Sequence, residues 1–273
     1  MESRPVLQKS AEPYEPRGRL DPEGFDRHVD FRIWPPTEAL APFLEHFWVI
    51  RWDRAHQPTY VSRQVMHRPY VDVYIGPREW GIQCTFRGTR AYEAAEVGRI
   101  VGARFRPGAF HAFWEGSLSG LADQTIALPR VFPLADAGFI REVQDSDDET
   151  AVGRLSELIL SRRPQPDPQI DLIGDIIAAV ETDRRFTTVT AVAQTFLRSE
   201  RWVQQLFSTY LGVGLKWLLL RARLLEAAQI IRATPDPDWA ALAYDLGYSS
   251  QQHFISDFKQ VVGLTPLQYK RGL

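Results

Sequence analysis

The chain has 273 residues, 44% of them hydrophobic and 24% charged, with 32 Lys+Arg against 34 Asp+Glu. This composition fits a globular protein of one or two domains and excludes a polycation, so any nucleic-acid function must rest on local pattern rather than bulk charge. The single cysteine, Cys84, excludes an internal disulfide and a thiolate-rich zinc site.

Residues 1–28 are polar and proline-rich, without the apolar core of a signal peptide, and read as a loose tail. The longest apolar runs, FWVI and WLLL, fall far short of the roughly 20 residues that cross a bilayer, so the expected location is cytoplasmic and no membrane contact is expected.

Residues 29–162 read as a β-rich domain, with a strand-like rhythm between about residues 31 and 110. YVDVYIG alternates Val71, Val73 and Ile75 against Asp72 and Tyr74, and GRIVGARF alternates Val101, Ala103 and Phe105 against Gly102 and Arg104. With HFWVIRW and GIQCTFRG, and with Gly, Pro and Asp between the runs, the pattern predicts an antiparallel sheet, sandwich or barrel. A short helix is expected after Pro107, and ETAVGRLSELILSRR predicts an amphipathic one with Val152, Leu155, Leu158 and Ile159 on one face.

The run RRPQPDPQ then interrupts any helix, which puts a linker at residues 163–168. From 169 to 273 the period is helical: Ile170, Ile173, Ile176, Ile177 and Val180 form a stripe. Asp167-Pro168, Asp236-Pro237 and Thr265-Pro266 each read as a cap followed by proline at the first helical position. The fold class is therefore α+β multidomain, a β-rich amino-terminal domain followed by an all-α one.

The all-α part repeats itself. In VAQTFLRSERWVQQLFSTYLG and LAYDLGYSSQQHFISDFKQVVG, Ala193 leads to Phe207 and Ala243 to Phe258, and a glycine follows five residues later, at Gly212 and Gly263. A small residue on a first helix, a tight turn and a second amphipathic helix spell a helix-turn-helix. At about 100° per residue, Val203, Leu206, Phe207 and Tyr210 fall on one face of the helix after Ser199, opposite Arg201, Gln204, Gln205 and Ser208. On the helix after Ser250, Phe254, Phe258 and Val261 oppose Gln252, His253, Ser256, Lys259 and Gln260, while Gln251 leans toward the core side but sits in the first turn. Arg and Gln suit major-groove base edges, whereas a merely solvated face is usually written with Glu and Lys.

On these phrases, together with RLLEAAQII at residues 223–231 and the closing YKR, the carboxy-terminal hundred residues resemble the DNA-binding domain of the AraC/XylS family of bacterial transcription regulators. The resemblance implies two helix-turn-helix units joined by a long helix and double-stranded DNA as partner. It also implies work alongside RNA polymerase, and DNA contacts at Ser199, Arg201, Gln204, Gln205, Ser250, Gln251, Gln252, His253 and Ser256. Two departures mark the first unit: Leu197 stands where the turn often has glycine, and GVGL replaces a small residue plus proline. Residues 169–273 carry 11 Lys+Arg against 10 Asp+Glu, a weak electrostatic footprint that throws phosphate binding onto helix ends and neutral donors.

The amino-terminal part resembles the cupin-like sensor domains that precede this unit in many members, on the phrase GRIVGARFRPGAFHAFW. That resemblance implies a small-molecule effector and homodimer pairing. Trp48, Tyr74, Arg104 and Arg106 are the candidate ligand contacts, against readings as core, pocket wall or surface ion pair. No catalytic residue, metal or cofactor is expected. The six histidines make no His-x-His or His-x-x-x-His pair, and neither a nucleophile elbow nor a phosphate-cradling glycine loop is present. The rivals are an alkyl-transfer repair protein that uses Cys84 and a cupin-like enzyme with an accessory DNA-binding domain. The first needs a reachable thiolate, whereas Cys84 reads as a small buried hydrophobe.

Overall fold

The computed structural model describes residues 29–54, 60–66, 69–94 and 96–272; the proposed tail lies outside them. Eight strands come first: β1 (Asp30–Trp34), β2 (Leu44–Arg54), β3 (Tyr60–Met66), β4 (Asp72–Ile75), β5 (Trp80–Gln83), β6 (Thr89–Ala94), β7 (Glu96–Phe105) and β8 (Thr125–Ile126). Six pair antiparallel in the order β1-β2-β7-β4-β5-β8, and β3 and β6 form a separate two-stranded ribbon. The short helix expected after Pro107 is a 3-10 turn, Ala109–Phe113.

Alternation sends Phe47, Val49, Val73, Val101, Ala103 and Phe105 to one face of the main sheet, where they join Phe110, Phe113, Phe132, Val152, Leu155 and Ile159 in one apolar cluster. Helix α1 (Ala137–Asp145), for which no expectation was drawn, and α2 (Asp148–Leu160) cover that face. Their junction is fixed by Arg99. Its guanidinium donates to the carbonyls of Val143 at 2.5 Å, Gln144 at 3.0 Å and Ser146 at 2.5 Å, while Arg51 bonds Asp148 at 2.6 Å. The last carbonyls of α1 thus find donors that the helix cannot supply.

The helical part holds α3 (Gln169–Thr182), α4 (Val189–Thr195), α5 (Glu200–Leu211), α6 (Leu215–Ala233), α7 (Trp239–Asp245), α8 (Gln251–Val262) and α9 (Pro266–Arg271). Two apolar clusters divide it. The first gathers Ile173, Ile177, Val192, Val203, Phe207 and Leu218, the second Leu224, Ala228, Ala243, Phe254, Phe258 and Tyr269. Helix α6 serves both, its first half feeding one cluster and its second half the other. Ile170, by contrast, packs into the sheet domain's cluster, so the core of that domain reaches past the proline-rich link.

Two helix starts differ from expectation. Asp238 rather than Asp236 caps α7, accepting from the amides of Ala240 at 2.9 Å and Ala241 at 3.1 Å, and Pro237 is buried ahead of the helix. Helix α3 begins at Gln169, whose amide donates to Asp167 Oδ1 at 2.9 Å, with Pro168 just outside it. At α9 Thr265 caps as expected and makes a capping box with Gln268. Among the described residues no helix is long and apolar enough to cross a membrane.

Candidate nucleic-acid interface

Helices α4 and α5 form the first unit and α7 and α8 the second. Each second helix starts on a serine: Ser199 Oγ accepts from the amide of Trp202 at 3.2 Å, and Ser250 Oγ accepts from that of His253 at 3.2 Å. Each ends on a left-handed glycine, Gly212 at φ 74° and Gly263 at φ 83°. Ser199 and Ser250 therefore fix where their helices begin, a role that the DNA-contact expectation did not include.

The turn between the helices needs a left-handed residue in both units. Gly247 supplies it at φ 77°, whereas the first unit uses Leu197 at φ 53°, exposed to 84%. A leucine here keeps the turn at a cost that glycine avoids.

Arg201, Gln204, Gln205, Gln251, Gln252, His253 and Ser256 are all exposed, as are Ser199 and Ser250, while Val203, Leu206, Phe207, Phe254 and Phe258 are buried. Gln251 projects from the first turn of α8 into solvent despite its wheel position. Gln205 Nε2 donates to Thr209 Oγ1 at 3.1 Å, and His253 Nε2 lies 3.6 Å from Asp257 Oδ2 with its ring edge-on to Tyr248. Beneath the second unit the Arg223 guanidinium covers the Tyr248 ring at 5.2 Å, and burial pushes the Tyr248 phenol above its usual range. Just ahead of α5 the Arg198 guanidinium lies over the Trp202 ring at 5.1 Å, a basic group beside the exposed polar stripe that the helical wheel did not include.

In the sheet domain, strand register gathers three of the four candidate ligand contacts on the face away from the main cluster. Trp48, Gly102 and Tyr74 lie in one row, and the next row holds His46, Arg104 and Asp72. The Trp48 ring lies so close to β7 that a Cβ on Gly102 would come within 2.3 Å of it. Arg104 bonds Asp72 through two donors, at 2.9 and 2.8 Å, and covers the Tyr70 ring at 4.6 Å. Arg106 lies elsewhere, past the strand end, donating to Pro42 O at 3.3 Å and to Asp171 Oδ1 on α3 at 2.7 Å. Cys84 follows β5 rather than lying inside a strand; it is buried, and burial pushes its thiol up to about 11, which leaves little thiolate at neutral pH.

Residues 192–272 match a family described as a helix-turn-helix domain, and residues 32–127 match a domain family of unknown function, DUF6597. Among solved structures the chain is similar to the carboxy-terminal domain of AraT, a response regulator from Geobacillus stearothermophilus. The identity is 24%, over 39% of this chain and 87% of that one, with a TM-score of 0.34. It is also similar to the carboxy-terminal domain of the two-component response regulator yesN from Fusobacterium nucleatum subsp. nucleatum ATCC 25586, at 26% identity over 37% and 95% with a TM-score of 0.32. ToxT from Vibrio cholerae aligns over 90% of this chain and 99% of its own at 10% identity, with a TM-score of 0.38. No curated protein matches the chain. The residues that build the two serine-capped, glycine-ended units spaced along one helix are those that match the helix-turn-helix family, so the carboxy-terminal part of the chain is a tandem helix-turn-helix domain, as its resemblance to the AraC/XylS regulators implied.

Proposed function

We propose that the protein reads two successive major grooves on one side of a duplex, with α5 entering one and α8 the other. The observation that carries this is the repetition of one design. Each unit presents an exposed Arg or Gln at the second helical position, Arg201 and Gln252, above a buried aromatic at Phe207 and Phe258. Successive major grooves on one face are about 34 Å apart, so a rigid α6 that holds the units at another spacing must be met by bending of the DNA. Ser199, Arg201, Gln204 and Gln205 serve one half-site and Ser250, Gln251, Gln252, His253 and Ser256 the other. The capping serines act through the helix N-terminus and the amides give base contacts.

In the sheet domain Trp48, Tyr74 and Arg104 form the wall of a cupin-like effector site. Because Arg104 is already neutralised by Asp72, the group offered there is a flat, apolar surface with a neutral ion pair at its edge. Pairing of two copies and contact with RNA polymerase, in the cytoplasm, complete the regulatory reading. Selection of bound duplexes from random oligonucleotides with the full chain tests the proposal. A recovered site with two specified blocks about one helical turn apart is expected, and a single block would leave one unit without a role.

A further inference from the structure

The last turn of α5 is held from outside its own unit. The amide of Leu118, a buried residue of the sheet domain, donates to the carbonyl of Thr209 at 2.8 Å. The His111 ring stacks on Tyr210 with centroids 4.1 Å apart, and the Tyr210 hydroxyl donates to Asp167 Oδ2 at 2.6 Å. Burial and that bond push the Tyr210 phenol up to about 12, so the hydroxyl remains a donor throughout the physiological range. Gly212 lies so near that a Cβ there would meet Leu118 O at 2.7 Å, and on the next helix Trp217 Nε1 donates to Arg87 O at 3.1 Å.

The placement of these contacts matters more than their number. Tyr210 lies on the side of α5 opposite the reading stripe, and Gly212 lies beyond the stripe's end. Arg201, Gln204 and Gln205 consequently stay exposed while the seam is closed. Docking is compatible with reading. A binding side chain must be held within about 0.5 Å and 10–20° of its productive geometry, and the seam adds fixed points at the last turn of α5 to the apolar face that seats the helix.

We propose that Tyr210, His111, Asp167 and Leu118 are positioning residues for DNA reading: the sheet domain fixes the roll of α5, so the first half-site is specified only while this seam is closed. The inference rests on the reading of α5 as a base-reading helix. It also gives the sheet domain a path to the DNA. Strand β7 carries Arg104 and ends at Phe105; the chain continues through Arg106, which is tied to Asp171, to the 3-10 turn that places His111 on Tyr210.

The test is duplex selection and titration with the full-length wild type and the variants Tyr210→Phe, His111→Ala and Asp167→Asn, with amide exchange at Leu118 measured in each. Tyr210→Phe and His111→Ala should bind about threefold to tenfold more weakly, as loss of one or two seam interactions implies. They should lose base preference in the first half-site alone and exchange the Leu118 amide faster. Asp167→Asn keeps an acceptor for the hydroxyl and should remain close to wild type. A first half-site preference unchanged in both Tyr210→Phe and His111→Ala would overturn the proposal, as would tighter binding by either, which would make the seam a restraint. If the wild type itself selects no DNA, the base-reading role fails, and the positioning role fails with it.

Discussion

Arg221, on α6, has no exposed surface, and its Nη1 lies 3.0 Å from Glu181 Oε1 on α3. The pair ties the helix that joins the two units to the helix that enters the domain. Removing Glu181 takes a carboxylate from a fully buried guanidinium, so Glu181→Ala should cost about 3–5 kcal/mol, whereas Glu181→Leu combined with Arg221→Met should recover most of the loss. Urea unfolding of the three proteins checks this, and a double variant as unstable as the single would show that the pair contributes beyond its own neutralisation.

The two turns should answer substitution in opposite senses. Leu197→Gly relieves a left-handed leucine and should raise stability by about 1 kcal/mol, while Gly247→Val imposes the same strain and should lower it by about 1–2 kcal/mol. Ala243, 1% exposed between α7 and α8, should resist enlargement: Ala243→Leu is expected to cost about 1–3 kcal/mol. Melting temperatures of the three variants decide it.

His46 makes the sheet domain sensitive to acid. Burial is the main cause of its depressed pKa, about 3, and the Arg104 charge adds to it. The unfolded chain therefore takes up this proton near the ordinary histidine pKa while the folded one does not, and stability must fall as pH drops from about 6.5 toward 3. The slope is at most about 1.4 kcal/mol per pH unit for one proton. Denaturation of His46→Gln between pH 7 and 5, above most carboxylate titrations, should show a flatter profile than the wild type.

Arg201→Ala and Gln252→Ala should each cost about 1–3 kcal/mol on the selected duplex and relax preference at one or two positions, in different half-sites. Competition binding with single-base variants of the site measures this. Uniform weakening across all sequences would instead mark the residue as a phosphate contact.

Cys84 should react slowly with a thiol reagent at neutral pH in the native protein, and quickly once the protein is unfolded, because the native thiol is both buried and pushed up to about 11. Rapid native labelling would revive the alkyl-transfer reading.

Features whose signals lie within one or two turns of chain were legible before the fold was known. The cap at Thr265 and the two polar stripes on α5 and α8 depend on residues three to four positions apart, and the structure has them where the pattern put them. Competing local signals were not resolved. PDPDW offers two aspartates as caps for α7, and the choice of Asp238 goes with Pro237 being buried ahead of the helix.

The amino-acid sequence by itself determined the repeated units and the faces that they expose, because helical period, caps and turn glycines act over short separations. Only the tertiary structure decided the fates of Arg104 and Arg106, two residues apart in one basic run: one closes on Asp72 in the sheet, the other on Asp171 in the next domain. It likewise decided that Tyr210, which reads as one more core residue of α5, bonds Asp167, 43 positions away, and carries His111 on its ring. Contacts of this kind close long loops between separately folded elements. No local pattern encodes them, since their partners lie tens of residues apart in the chain and are brought together by the packing of separate elements.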